Sequence, residues 1–378
     1  MRILFIAPLP PPVTGHSLAS QVLLEALRVH HDVVVVNLSV GSANDGSVSG
    51  RRLLEVVKVL GAVWRARGRA DAVYLTISES LAGNLKDVAI YLLCAGRLRR
   101  TVIHLHGGSI KRLLFDHRPL LRRLNAAFYR RLGAAVISGP AHAHIFGDTI
   151  DGRRLHLVPN FAQDELFVPA AAVAAKFAQR SPLRVLYLSG MTREKGYLDL
   201  ATAYLGLPAH VRQAVRLDFA GRFDSDAERL AFEQRIAGEA GVVYHGLVDG
   251  RRKRELFAQA HAFCLPTAMF EGQPISILEA YAAGCVVVTT GQAGIRDVFT
   301  DGRHGFEITP GDPASIAAAL TRLASAPEAL EAIAAANRDE AERAYRTGTY
   351  TAAMRAILEQ VGEPGGGSTS FPPSALPA

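Results

Sequence analysis

The stretch AFCLPTAMFEGQPISILEAYAAGCVVVTT, residues 262–290, decides the architecture. It opens on a short apolar run and closes on a second run rich in β-branched residues. Between them Pro274 suits the first position of a helix, and a glycine at 284 closes the helical pattern. Strand, loop, helix and strand in that order make one βαβ unit. The same rhythm runs outward in both directions. Apolar strand candidates lie at 2–8, 32–38, 72–77, 101–106, 134–139 and 155–159, then at 183–190, 214–221 and 242–245, each separated by helical patterns. An α/β chain with parallel sheets covered on both faces is expected. The rhythm pauses once, between 159 and 182, where Pro159, Pro169 and Pro182 flank an alanine-rich segment. A domain boundary is placed there, at 168/169. The second domain is expected to run to 344, residues 345–361 to form a closing helix returning to the first domain, and 362–378, rich in Gly, Ser and Pro, to be a flexible tail.

Composition limits the classes open to this chain. A length of 378 residues suits two domains of ordinary size, and 49% hydrophobic with 20% charged residues is the make-up of a globular protein. The three cysteines, Cys94, Cys264 and Cys285, are too few and too scattered for a disulfide framework or a metal-ligand cluster, so a reducing compartment is expected. The first residues read as a strand rather than a signal peptide. No apolar run approaches the roughly 18 residues of a spanning helix. A cytoplasmic protein is the expectation. Net charge is +7, but residues 1–180 carry 23 Lys+Arg against 12 Asp+Glu, whereas residues 181–378 carry 19 against 23. The basic half is expected to face something anionic.

The chemistry concentrates around two glutamates. Glu271 lies in the loop before the helix and Glu279 inside it. A helix N-terminus offers free amides and the positive end of its dipole to a diphosphate, and carboxylates nearby accept hydrogen bonds from sugar hydroxyls. Alone, two such glutamates would pass as a loop charge and a surface charge. Their context is more specific. In order, the C-terminal half holds SGMTREKG (189–196), HGLV (245–248), LPTAMFEGQPISILEA (265–280), GCVVVTT (284–290), GIRDVFTDGRHG (294–305) and PGD (310–312). This set resembles the signature of the retaining family-4 glycosyltransferases of the GT-B fold, and the resemblance spans most of the C-terminal half.

That resemblance implies two Rossmann-like domains facing each other across a cleft, an acceptor domain first and a nucleotide-sugar-binding domain second. It implies that Glu279 binds the ribose hydroxyls and Glu271 the transferred hexose near its C3 and C4 hydroxyls. Backbone amides around Ile275 and Ser276 would meet the donor's diphosphate, and Gly272 would belong to the nucleotide-sugar site. Lys195 would neutralise the diphosphate as it leaves, a task for fixed positive charge where negative charge develops. The sequence departs from the common pattern in one place: relatives often carry an arginine five residues before this lysine, where this chain has Gly190, and Arg193 is the candidate to replace it.

In the first half the resemblance is thinner. PPPVTGHSLAS (10–20) occupies the place of a glycine-rich loop facing the donor, keeping Gly15 but substituting His16 for the second glycine. HLHGG (104–108) follows a strand, and His106 falls at its carboxyl end, the edge where open α/β sheets bind ligands. His106 is therefore placed with Glu271 and Lys195 in the catalytic set, while His104 alternates into the core.

Two motifs are set aside. Asp224-Ser-Asp226 spells the acidic pair of metal-dependent transferases but precedes a helical pattern, so capping and a negative first turn account for it, and no metal is expected. No G-x-G-x-x-G follows a strand, which removes nicotinamide chemistry. Residues 97–131 hold ten Lys+Arg, one acid (Asp116) and interleaved Leu and Phe. They are expected either to form a buried leucine face with a solvated basic face, or to dock on anionic lipid at the inner face of the cytoplasmic membrane. The expected activity is transfer of a hexose from a UDP-sugar or GDP-sugar to a glycan or to a polyprenyl- or other lipid-linked acceptor, without cofactor, metal or nucleic-acid partner. The alternatives are a non-catalytic glycosyltransferase-like subunit binding nucleotide or a partner, and a GT-B epimerase or phosphorylase.

Overall fold

The structure, a computed structural model, describes residues 1–39, 50–179, 181–325 and 327–363. Residues 364–378 of the expected tail lie outside the described residues. The chain divides into two compact units. Unit 1 comprises Met1–Asn160, Phe270–Gln273 and the segment from Gly348 onward; unit 2 comprises Phe161–Met269 and Pro274–Thr347.

Unit 1 alternates β1 (Arg2–Ala7), α1 (Gly15–Arg28), β2 (Asp32–Asn37), α2 (Gly50–Arg67), β3 (Ala72–Thr76), α3 (Leu81–Leu93), β4 (Thr101–Leu105), α4 (Pro119–Tyr129), β5 (Ala134–Ile137), α5 (Ala143–Phe146) and β6 (Leu155–Leu157). Its six described strands are all parallel in the order β2-β1-β3-β4-β5-β6. Every residue of β3, β4 and β5 is buried, which is why these strands read as continuous apolar runs rather than alternating ones. The first helix begins at Gly15 because Thr14 takes the cap. The Thr14 side chain accepts from Ser17 N–H (3.1 Å) and the Ser17 hydroxyl accepts from Thr14 N–H (2.9 Å).

Unit 2 repeats the plan. It runs α6 (Ala170–Ala178), β7 (Leu183–Leu188), α7 (Tyr197–Leu205), α8 (Ala209–Ala214), β8 (Val215–Ala220), α9 (Asp226–Ile236), β9 (Val242–Tyr244), α10 (Gly250–Gln259), β10 (Ala262–Leu265), α11 (Ile275–Ala282), β11 (Val286–Thr289), β12 (Gly305–Glu307), α12 (Pro313–Ser325) and α13 (Pro327–Ala344). Its sheet is again parallel, in the order β12-β11-β10-β7-β8-β9. Both sheets are therefore of the Rossmann-like kind, and the carboxyl ends of their strands carry the loops of interest. The final helix, α14 (Thr347–Gly362), lies from Gly348 on with unit 1. A Cβ at Gly362 would come within 2.2 Å of the Met1 side chain, so the helix end sits tightly against the first strand.

Residues 97–131 do not form one helix. They comprise a 3-10 turn, the buried strand β4, a π-helical turn at Lys111–Phe115 and α4. Leu114, Phe115 and Phe128 are buried, while Leu113, Leu120 and Leu124 are exposed. Helices α3 and α4 are joined by a reciprocal amide pair: Asn84 Nδ2 donates to Asn125 Oδ1 (3.1 Å) and Asn125 Nδ2 to Asn84 Oδ1 (2.9 Å), both residues being fully buried. Removing one partner strands the other in an apolar setting. Asn84→Ala is expected to destabilise unit 1 by about 1–3 kcal/mol. Urea denaturation followed by circular dichroism checks this, and Asn84→Ala/Asn125→Ala should cost less than twice the single change.

Candidate functional site

In unit 2 the expected donor residues gather around the start of α11. Pro274 takes the cap position with extended backbone, so the helix proper starts at Ile275 and Ser276. The segment leading into it is tied to the turn that carries Lys195. Ala268 N–H donates to the Glu194 carbonyl (2.8 Å), the Thr267 hydroxyl reaches the same oxygen (3.3 Å), and Thr290 in turn donates to the Thr267 carbonyl (2.7 Å). Arg193–Lys195 forms a single 3-10 turn ended by Gly196 at φ 79°. Glycine is required there twice over, by the left-handed backbone and because a Cβ would lie 2.2 Å from the Pro266 carbonyl oxygen. Arg193 is exposed and Lys195 half-buried.

Glu279 sits one turn further along α11 and is 1% exposed. Lys253 of α10 meets it at 2.6 Å and also donates to Gln163 Oε1 at 2.7 Å. Burial raises the Glu279 carboxyl above its usual range and the Lys253 charge opposes that rise. At the other end of α11, Lys176 donates to the Ala283 and Gly284 carbonyls (2.8 and 2.7 Å), a cation at the negative end of the helix dipole.

Unit 1 gathers a second set. The tetrapeptide Phe270–Gln273, which carries Glu271 and Gly272, is clipped in place by its glutamine. Gln273 Oε1 accepts from Asn160 N–H (2.6 Å), the Gln273 carbonyl accepts from Asn160 Nδ2 (2.8 Å), and Gln273 Nε2 reaches the Ser138 carbonyl (3.3 Å). Gly272 lies against the His106 carbonyl, where a Cβ would fall 1.9 Å from the oxygen. The Arg112 guanidinium covers the Phe270 ring at 4.1 Å. Glu79, in the loop after β3, accepts from Ser109 N–H (2.5 Å) and Ile110 N–H (2.8 Å). Its carboxyl is raised chiefly by burial and further by the Glu271 charge, against the two amides that hold it down.

Three histidines stack at the carboxyl edge of this sheet. His106 lies 3.9 Å from His104 and 4.3 Å from His16, centroid to centroid. His104 is fully buried and shares a 2.8 Å hydrogen bond with the Tyr74 hydroxyl through Nδ1. Burial first, with Lys86 second for His16 and the adjoining imidazoles disfavouring a further proton on His104 and His106, lowers His16 to about 4 and His104 to about 3, and holds His106 well below the usual imidazole range. All three are neutral near pH 7. Nε2 of His16 and of His106 is buried and has no hydrogen-bond partner among the described residues.

The structure thus groups Arg193, Lys195, Ile275, Ser276 and Glu279 in unit 2, and Gly15, His16, His106, Glu271 and Gly272 in unit 1. Sequence reasoning missed Lys253, Gln163, Glu79 and the Asn160–Gln273 clip. Of these only Glu79 carried a readable signal, a carboxylate at the carboxyl end of a predicted strand. Ser225, not Asp224, caps α9, accepting from Glu228 N–H (3.3 Å), and Asp226 pairs with Arg229 (3.3 Å).

Residues 182–326 match the family model of the glycosyl transferases group 1. Over 138 residues the chain is 31% identical to a phosphatidyl-myo-inositol mannosyltransferase of Mycobacterium leprae (strain TN), an alignment covering 35% of this chain and 37% of that relative. The matched part is thus little more than a third of that relative's length. Among solved structures, Anabaena HepE in complex with UDP and glucose superposes with a TM-score of 0.69 at 17% identity, covering 95% of this chain and 99% of HepE. Sucrose-phosphate synthase from Thermosynechococcus elongatus gives 0.73 at 16% identity, covering 96% and 99%. WaaG, a glycosyltransferase involved in lipopolysaccharide biosynthesis, gives 0.68 at 15% identity, covering 94% and 99%. The chain shares their fold, the GT-B fold.

The buried ion pair generates a stability test. Lys253→Met leaves the Glu279 carboxylate inside the protein without its cation and is expected to cost about 3 kcal/mol, whereas Lys253→Met/Glu279→Gln should recover a large part of that loss. Thermal and urea denaturation of the two variants measure both.

Proposed function

We propose that this chain is a glycosyltransferase that moves a hexose from a nucleoside diphosphate sugar to a glycan or lipid-linked acceptor, with retention of configuration and without a metal ion. The observation that carries the reading is the union, in unit 2, of the Lys195 turn with the segment entering α11, inside the stretch matched by the group 1 family. A diphosphate at that helix start meets unsatisfied amides of Ile275 and Ser276 and the positive end of the dipole. Lys195, joined by Arg193, supplies fixed charge as the leaving diphosphate develops its own. Glu279, one oxygen held by Lys253, offers its other oxygen to the ribose hydroxyls. Glu271, with His106 and His16 as neutral donors or acceptors, takes the hexose hydroxyls, and Gly272 lets the backbone approach closely. HepE and its complexes with UDP favour a UDP-sugar donor, with a GDP-sugar as the other candidate.

Residues 97–131 belong to the proposal as the part that holds the protein at anionic lipid, on the inner face of the cytoplasmic membrane. Among the described residues no helix is long and apolar enough to cross a membrane.

Glu279→Ala is expected to weaken binding of UDP or GDP by about 1–3 kcal/mol, while Lys195→Ala lowers turnover much more than it lowers nucleotide affinity. Calorimetric titration with UDP and GDP, beside turnover assays of both variants, checks the two roles; unchanged affinity in folded Glu279→Ala would remove the ribose assignment. Turnover should also persist in EDTA. Loss of activity with EDTA and its return with Mg²⁺ or Mn²⁺ would return Asp224 and Asp226 to consideration.

A further inference from the structure

The sheet of unit 1 places three helices side by side. Moving along the order β2-β1-β3-β4-β5, the chain steps one way through α1 and the other way through α2, α3 and α4. Right-handed crossovers then put α2, α3 and α4 on the same face, opposite α1. Contacts between α2 and α3, and the Asn84–Asn125 pair between α3 and α4, join them into one layer.

The outer surface of that layer is apolar in a regular way. Helix α2 exposes Leu53, Val57 and Trp64, a spacing of four then seven residues that keeps them on one stripe. Helix α3 repeats the spacing with Leu81, Leu85 and Leu92, all exposed. Helix α4 adds Leu120, 78% exposed, and Leu124 one turn later. By contrast, the exposed large apolar residues of unit 2 are single and scattered, such as Leu230 on α9. Soluble surfaces rarely leave such stripes adjacent. Cations accompany them: residues 50–131 carry 17 Lys+Arg against five Asp+Glu, a larger excess than that of the whole chain. Trp64, 57% exposed, lies under the Arg67 guanidinium at 3.2 Å, and tryptophan is a residue type enriched at membrane–water boundaries.

We infer that the outer face of α2, α3 and α4 together, not residues 97–131 alone, is a docking surface for an anionic lipid bilayer. Leucine stripes enter the acyl boundary while flanking Lys58, Arg65, Arg122 and Arg123 meet the lipid phosphates. A nucleic acid would use the cations but not the stripes, and a neutral surface would use the stripes but not the cations. This inference extends the lipid-docking part of the proposed function. Its test reads binding rather than turnover, so failure of the glycosyltransferase reading would leave it standing.

Trp64 is the chain's one tryptophan and lies outside residues 97–131, which makes it a reporter specific to this surface. The full chain is titrated with phosphatidylglycerol vesicles and with phosphatidylcholine vesicles, reading co-sedimentation, Trp64 emission and its quenching by acyl-brominated lipid. Partitioning at least about tenfold stronger onto the anionic vesicles is expected, with a blue shift and quenching, and with loss of binding at high salt. Leu85→Glu/Leu92→Glu, at two exposed α3 positions, should lower that partitioning about tenfold or more at unchanged circular dichroism. Leu230→Glu in unit 2 should leave it unchanged. Sedimentation without any change in Trp64 emission, equal binding to both vesicle types, absence of binding, or an equal loss in Leu230→Glu would each overturn the inference.

Discussion

Helix α11 is enclosed on almost every side, with seven of its eight residues buried, and one of those seven is a glutamate. A carboxylate in that position needs a counter-charge inside the protein, and Lys253 provides it at 2.6 Å. The pair fixes more than a charge. Lys253 also binds Gln163, so α10, α11 and the segment after Asn160 are held by one ammonium group. Lys176 holds the carbonyl end of the same helix, leaving its amino end as the free pole. The free amino end of α11 is thus a consequence of how a short buried helix is balanced electrically.

Unit 1 solves a different problem, that of keeping polar groups ready without charging them. Burial above all holds His16, His104 and His106 neutral, and Tyr74 occupies one nitrogen of the deepest ring. Two carboxylates of the same unit, Glu79 and Glu271, feel each other's charge, and Glu79 accepts from the amides of Ser109 and Ile110. The tetrapeptide bearing Glu271 joins this unit although its neighbours in sequence, on both sides, belong to the other. Backbone crowding explains why glycine stands at 272, since no side chain fits beside the His106 carbonyl.

The layer of α2, α3 and α4 divides its two faces by chemistry. Inward, the Asn84–Asn125 pair is fully satisfied and buried; outward, Leu53, Val57 and Trp64 of α2 and Leu81, Leu85 and Leu92 of α3, at the same spacing, remain uncovered. Stability of the unit accounts for the first face and offers no reason for the second, because exposed leucines gain nothing from folding.

Periodicity and punctuation by themselves determined the α/β alternation, the parallel sheets and the existence of two similar halves, since each rests on local signals: buried parallel strands must be apolar throughout, and Pro274, Gly284 and Ser225 act on the few residues beside them. The motif order likewise marked the C-terminal half for the family whose model spans residues 182–326. Lys253 lies 26 residues from Glu279 and 90 from Gln163, and no pattern in the chain links them. Nor did the basic run at 97–131 announce that the exposed leucines of α2 and α3, far upstream, would complete a surface beside α4. Those relations arise only when crossovers bring separate helices to one face and when burial forces a charge to find its partner, and a sequence read along one dimension holds neither the face nor the burial.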